Sequence, residues 1–182
     1  DPDISTDLNL KALIGTNVRR ERNQFILSST NNGLIIPRVY ALSNTTNPIT
    51  APIEPDARRQ VWGNFAGATF TWRDMVTLDG TIRNDRSSTL PEGNNSYWYP
   101  SVSLGFTFSR LLPTATWLSY RKFRTNFPQV GNDTDPYTTD ETYLIGSPFG
   151  ANPLVSVVGT NANPDLLPEK TESYEFGLEM AF

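Results

Sequence analysis

From Pro100 onward the chain alternates by hydropathy almost without fault. Val102, Leu104, Phe106 and Phe108 fall on one side of an extended backbone, and Ser101, Ser103, Gly105, Thr107 and Ser109 on the other. The same period of two recurs along the chain. Across 8–19, Leu8, Leu10, Ala12, Ile14 and Val18 oppose Asn9, Lys11, Gly15, Asn17 and Arg19, with Leu13 out of pattern. Across 62–72, Trp62, Ala66, Ala68, Phe70 and Trp72 share a face that Asn64 interrupts. Val76, Leu78 and Ile82 oppose Thr77, Asp79, Thr81 and Arg83, and Phe123, Thr125 and Phe127 oppose Lys122, Arg124 and Asn126. At the end, Tyr174, Phe176, Leu178, Met180 and Phe182 oppose Ser173, Glu175, Gly177, Glu179 and Ala181. Side chains alternate across a strand, so these segments predict about six half-apolar strands, and no segment predicts a helix.

The connections alternate in length. A long polar stretch separates Arg19 from Arg58, and the next link is only Arg73-Asp74. Asp85–Ser96 forms a medium loop, Arg110–Ala115 a short one, and Gly131–Lys170 a loop of roughly 40 residues by its turn signals. Structureless loops this long are uncommon in compact soluble domains but normal on the outer side of membrane barrels, whose opposite turns are short. The first, third and fifth strands would then run outward. Tyr97, Trp98 and Tyr99 precede the fourth strand's alternation, where an interfacial aromatic girdle belongs, and Trp72 and Trp117 lie near the short links. The loop 131–170 lacks strong alternation and is expected to hold no further membrane hairpin, with 152–160 the one stretch that resembles a strand.

Composition narrows the classes. The chain has 182 residues, a net charge of −4 and a pI near 4.8, which gives no general attraction to nucleic acid. It lacks the run of roughly 18 apolar residues that a membrane helix needs. A β-barrel remains open, since half of its strand positions face water or the lumen. There is no cysteine and no histidine, which removes thiolate chemistry and the commonest general base and metal ligand. The first ten residues lack the charged and apolar regions of a signal peptide and are expected to be mature or internal sequence.

Several colinear stretches resemble SusC/RagA-type TonB-dependent outer-membrane transporters: "NNGLIIPRVYALSN" (31–44), "RNDRSSTLPEGNNSYWYPSVSLGFTFSRLL" (83–112), "FRTNFPQVGNDTDPYTT" (123–139) and "NPDLLPEKTESYEFGLEMAF" (163–182). Two positions depart from the pattern. Arg86 stands where an aromatic is expected, and Pro128 sits late in the fifth strand, which should end or bulge there. The resemblance implies an all-β fold: residues 1–182 form an antiparallel segment of about six strands in a larger transmembrane β-barrel, of the 22-stranded plugged kind. The plug and the remaining strands would lie outside this chain, in a longer polypeptide. It also implies a bacterial outer-membrane location, import of glycans or peptides, a SusD-like surface lipoprotein as partner, and TonB acting through a part absent here.

The expected inward charges are Lys11, Arg19, Asp79, Arg83, Lys122, Arg124, Glu175 and Glu179. They either line a solute path or pair across strands in a hydrated lumen, and the second reading is the simpler. Asp85 and Arg86 are expected to open one loop, and Asp133 and Asp135 another, as substrate contacts or as turn formers. Arg83, Asp85, Arg86, Tyr97, Trp98, Asp133, Tyr137 and Tyr143 are the candidate substrate- or partner-binding residues. Asp133, Asp135, Asp140 and Glu141 do not have EF-hand spacing, so no metal site is assigned. No carboxylate pair is joined to a nucleophile, a base and an orienting group, so neither a catalytic residue nor a cofactor is assigned. The N-x-[ST] matches at Asn44, Asn94 and Asn132 read as polar loop sequence rather than glycan acceptors. The competing readings are a secreted β-sandwich carbohydrate-binding module, with tryptophans stacking on sugars, and an outer-membrane enzyme.

Overall fold

The computed structural model describes residues 3–5, 7–111 and 117–182; much of the expected short link 110–115 lies outside these. The strands are β1 (Asp3–Ser5), β2 (Leu8–Gln24), β3 (Asn31–Leu34), β4 (Thr45–Asn47), β5 (Asp56–Trp72), β6 (Val76–Ser87), β7 (Ser96–Thr107), β8 (Tyr120–Asn132), β9 (Tyr143–Phe149), β10 (Asn152–Val157), β11 (Glu169–Glu172) and β12 (Glu175–Ala181). A 3-10 turn at Ser109–Leu111 is the only helical element among the described residues.

Eight strands form one antiparallel sheet in the order β1-β2-β5-β6-β7-β8, with β11 and β12 following each other along the far edge of β8. The six segments predicted from alternation are the long members, β2, β5, β6, β7, β8 and β12. Their register aligns the apolar faces. Val18, Trp62, Arg86 and Ser96 share one cross-strand row; Leu10, Phe70, Leu78 and Leu104 share another. Both β2 and β5 have 17 residues, against the roughly 9–11 that cross a bilayer, so each rises well beyond the apolar band at the long-loop end.

Almost nothing apolar is buried by protein. Among the described residues the buried hydrophobic ones are Val61, Leu90 and Tyr97, while Ile14 is 86% exposed and Trp98 58%. A soluble domain does not leave a contiguous apolar face of this size in water. Among the described residues no second sheet covers it: the other two sheets are two-stranded, β3 with β4 and β9 with β10. This excludes the β-sandwich, which needs two packed faces.

The link between β5 and β6 is a tight primed turn. Arg73 and Asp74 have φ of 50° and 53°, and the Met75 N–H donates to the Trp72 carbonyl at 2.9 Å. That hand matches the strand twist but usually calls for Asn-Gly. Here the Arg73 N–H donates to the Asp7 carbonyl at 2.7 Å, and its guanidinium donates to the Asp7 carboxylate at 3.0 Å.

Pro128 acts largely as its chemistry requires. β8 continues to Asn132, but its pairing with β7 stops at Ser101–Pro128, and its pairing on the other edge breaks between Asn126 and Gln129. The loops hold more structure than their composition suggests. Asn44, part of an N-x-T match, is buried and uses its amide to bind Ile36 and Val39, as a loop latch. The 131–170 loop contains the β9–β10 hairpin, which stays outside the main sheet, so no barrel hairpin was missed.

Candidate functional site

Period-two alternation places every inward side chain of β5, β6 and β7 on one wall. Near the long-loop end this wall carries Arg59, Val61, Arg83, Asp85, Ser87, Tyr97 and Tyr99, joined by Asn17 and Arg19 of β2. All of these but Ser87 and Tyr99 line a polar cleft of about 140 Å³. Arg83 donates to Asp85 at 2.7 Å and to the Asn17 side chain at 3.1 Å. The Tyr99 hydroxyl donates to the other Asp85 oxygen at 2.6 Å, and the Tyr97 and Tyr99 rings stack at 6.0 Å.

Asp133 closes this cleft from above. Its side chain is 2% exposed, and it accepts hydrogen bonds from Arg59, Ser87 and Thr89. The chain leaving β8 therefore crosses the open top of β7 to reach β5 and β6. Gly131 permits the crossing: a Cβ there would stand 2.5 Å from the Tyr97 ring. Burying a polar group is costly unless its atoms are hydrogen-bonded, and a guanidinium and two hydroxyls meet the Asp133 oxygens. The result is a clamp between loop and wall rather than an open ligand.

Lower on the wall, a hollow of about 500 Å³ lies among Thr77, Ser103, Lys122, Arg124, Asn126 and Glu175. Arg124 there meets Glu179 at 2.9 Å, and elsewhere on the wall the Thr69 hydroxyl donates to Asp79 at 2.6 Å. Several of the inward charges thus have partners on the wall itself.

The candidate residues divide into three groups. Arg83, Asp85, Tyr97 and Asp133 come together at the cleft. Arg86 and Trp98 sit on the opposite, apolar face, because each is one residue out of phase with its neighbour. Tyr137 and Tyr143 lie in the long loop, where the Tyr137 hydroxyl donates to the Asp56 carbonyl at 3.3 Å. Two sequence readings need correction. Asp85 and Arg86 belong to β6 and do not open a loop. Tyr97, Trp98 and Tyr99 do not form one girdle; alternation turns Tyr97 and Tyr99 inward and leaves only Trp98 outward. Arg59, Asn17, Ser87 and Thr89 were not singled out from sequence. Arg59 lies 74 residues from Asp133, and no local pattern signals that pairing. Among the described residues no group of three or more histidines, cysteines or carboxylates is placed to hold a metal.

At the rim beyond the cleft, Asp56 accepts from Arg22 at 2.7 Å and from Arg58 at 2.9 Å. Hydrogen bonds from Arg22 and then Arg58 hold its carboxyl well below the ordinary carboxylate range.

A wall with one apolar face, one polar face and alternating short and long connections defines part of an outer-membrane β-barrel. The sequence family described as TonB dependent receptor-like, beta-barrel matches residues 2–182, and the chain belongs to it. Its fold is similar to that of a chain in the structure of the RagAB peptide transporter, at 23% identity and a TM-score of 0.78, over 96% of this chain and 20% of that one. Against the RagAB peptide importer in the 'closed-closed' state the TM-score is 0.79 at 23% identity, over 98% of this chain and 20% of that one. Against the 'open-open' state it is 0.74 at 23% identity, over 96% and 19%. The chain thus spans about a fifth of the length of the solved chains it matches. No curated protein matches it by sequence.

Proposed function

We propose that residues 1–182 form part of the wall of a TonB-dependent transporter that imports nutrient oligomers, peptides or glycans, across the outer membrane. The family match over nearly the whole chain carries this reading. The parent polypeptide would supply the remaining strands of a roughly 22-stranded barrel, a plug in its lumen and the segment that engages TonB. A SusD-like lipoprotein would cap the long-loop side.

The inner wall supports a path for polar oligomers. It presents hydroxyls, amides and paired charges, which exchange hydrogen bonds with a polar solute without leaving an unpaired ion behind. The cleft at Arg83, Asp85 and Tyr97 is the contact region proposed for solute, with Tyr137 and Tyr143 on the partner-facing loop. The shared fold with the RagAB structures favours peptides over glycans.

Uptake of labelled oligopeptide and oligosaccharide pools, by cells carrying the full-length parent protein with and without TonB, tests this. TonB-dependent entry of peptides is the expected result. Entry of neither pool, or entry that persists without TonB, sinks the reading. Entry of glycans alone overturns the peptide preference.

A further inference from the structure

Arg86, where the sequence pattern leads one to expect an aromatic, points at a second surface. It lies on the outer, apolar face in the same cross-strand row as Trp62, and Trp98 is one outward step lower on β7. Above that row the outward positions turn basic. Arg20 pairs with Gln60 and Arg22 with Arg58 along β2 and β5. Arg20, Arg22, Arg58 and Arg86 thus share one exposed face, on a chain whose net charge is −4.

Asp56 is the outward carboxylate of this part of the sheet. It meets Arg22 and Arg58 and so offsets one of the four charges. Arg20 donates to the neutral Gln60 side chain at 3.1 Å, and neither Arg20 nor Arg86 meets a carboxylate among the described residues. Directly below, Ile14, Ala66, Ile82 and Trp98 line an apolar groove of about 530 Å³ on the same face. The small Ala66 side chain leaves room between the larger flanking ones.

Depth fits a lipid. Two outward steps along a strand span roughly 13 Å, or roughly 10 Å of height at a tilt near 40°. The headgroup layer on each side of a bilayer is roughly 5–8 Å thick. Arg86, in the girdle row, and Arg20, one step and roughly 5 Å above it, therefore stand within that layer, and Arg58, two steps up, reaches back to it with its long side chain. Guanidinium binds phosphate oxygens in a bidentate fashion, and long arginine side chains reach from the apolar band to the interface.

We propose that this face binds the phosphorylated headgroup of an outer-leaflet lipid: Arg20, Arg58 and Arg86 hold the phosphate, and the groove below, between Ile14 and Trp98, seats an acyl chain. The inference rests on membrane location alone and not on what the barrel carries.

The test uses the full-length parent barrel in detergent, with lipid A as the phosphorylated probe and phosphatidylcholine as the net-neutral control, read by native mass spectrometry. Wild type is expected to retain lipid A in preference to phosphatidylcholine. Each arginine near an anionic headgroup contributes about fivefold in affinity. The R20Q/R58Q/R86Q variant should therefore lose lipid A retention by at least tenfold while keeping heat-modifiable mobility. A second variant, Ile82→Trp, fills the groove and leaves the arginines in place; it should weaken retention of acylated lipid A but not of its deacylated form. Equal retention of lipid A by wild type and the triple variant, or no preference over phosphatidylcholine, would overturn the proposal. If the triple variant fails to fold, the Ile82→Trp comparison still decides the matter.

Discussion

Ser103 and Leu104 are neighbours in sequence that meet different solvents. Leu104 pairs with Leu78 on the outer face, and Ser103 pairs with Asp79 on the inner wall. An arginine at position 104 would meet hydrocarbon, and Leu104→Arg is expected to destabilise the parent barrel by roughly 2–4 kcal/mol if the site is near the bilayer midplane. Ser103→Arg should cost much less, because lumen water hydrates the charge. Denaturant unfolding of the two variants in lipid vesicles makes the comparison, and equal costs would refute the facing. Asp133 supports a second expectation. Asp133→Ala leaves Arg59, Ser87 and Thr89 without their shared acceptor. Removing one partner of a buried charged pair costs about 3–5 kcal/mol, but Arg59 keeps some access to water, so the lower end applies. Hydrogen exchange in the parent protein should quicken at 87–95 and 131–142 and stay unchanged at 62–72. Uniform quickening would mean that the contact is not local.

Elements differ in how openly the sequence announces them. The six long strands were legible because one face meets an apolar solvent and the other a polar one, which writes period two into the residues themselves. Their ends were less so. β2 continues from Arg19 to Gln24 through "RERNQ", and β5 begins at Asp56. Beyond the apolar band both faces meet polar surroundings, so alternation disappears while the ladder continues. The clamp at Asp133 was half legible: the residue stood out as an acidic loop opener, but its partners come from strands distant in sequence. The rim of β2 and β5 holds through acid for a stated reason. Because the Asp56 carboxyl titrates below its unfolded value, its contribution is present above roughly pH 4 and is lost only as pH falls through the lower folded value. Exchange protection of 20–24 and 56–60 should therefore be the same at pH 7 and pH 4.5, and Asp56→Asn should lower it at both. Loss confined to pH 4.5 in wild type would contradict this assignment. The β9–β10 hairpin gives a further expectation. It stays outside the main sheet, while β11 holds its own register on β8. Deleting 138–160 from the parent should leave heat-modifiable mobility intact and reduce co-purification of a lipoprotein partner. Loss of the folded barrel instead would show that the hairpin is structural.

At the scale of the whole molecule, what the sheet leaves open matters more than what it closes. Among the described residues β1 covers only the start of β2, at Leu8 and Asn9, so most of that 17-residue strand has one free edge. At the opposite end, β11 and β12 pair with β8 alone. In hydrocarbon each unpaired backbone N–H or C=O costs several kcal/mol, which is why spanning strands occur only in closed barrels. Eight strands also enclose too narrow an interior to hold a plug domain. The fold and the apolar outer face were legible in sequence because they depend on local alternation; closure was not, since what meets each open edge is not a local property of the residues. The expected outcome is that residues 1–182, refolded alone in detergent, associate through these edges and show no heat-modifiable monomer band. The full-length parent should give a folded monomer under the same conditions. Light scattering coupled to size exclusion, together with mobility before and after heating, provides the measurement. A monomeric, heat-modifiable species formed by residues 1–182 alone would show that the sheet satisfies its own edges, and the larger-barrel reading would then fail.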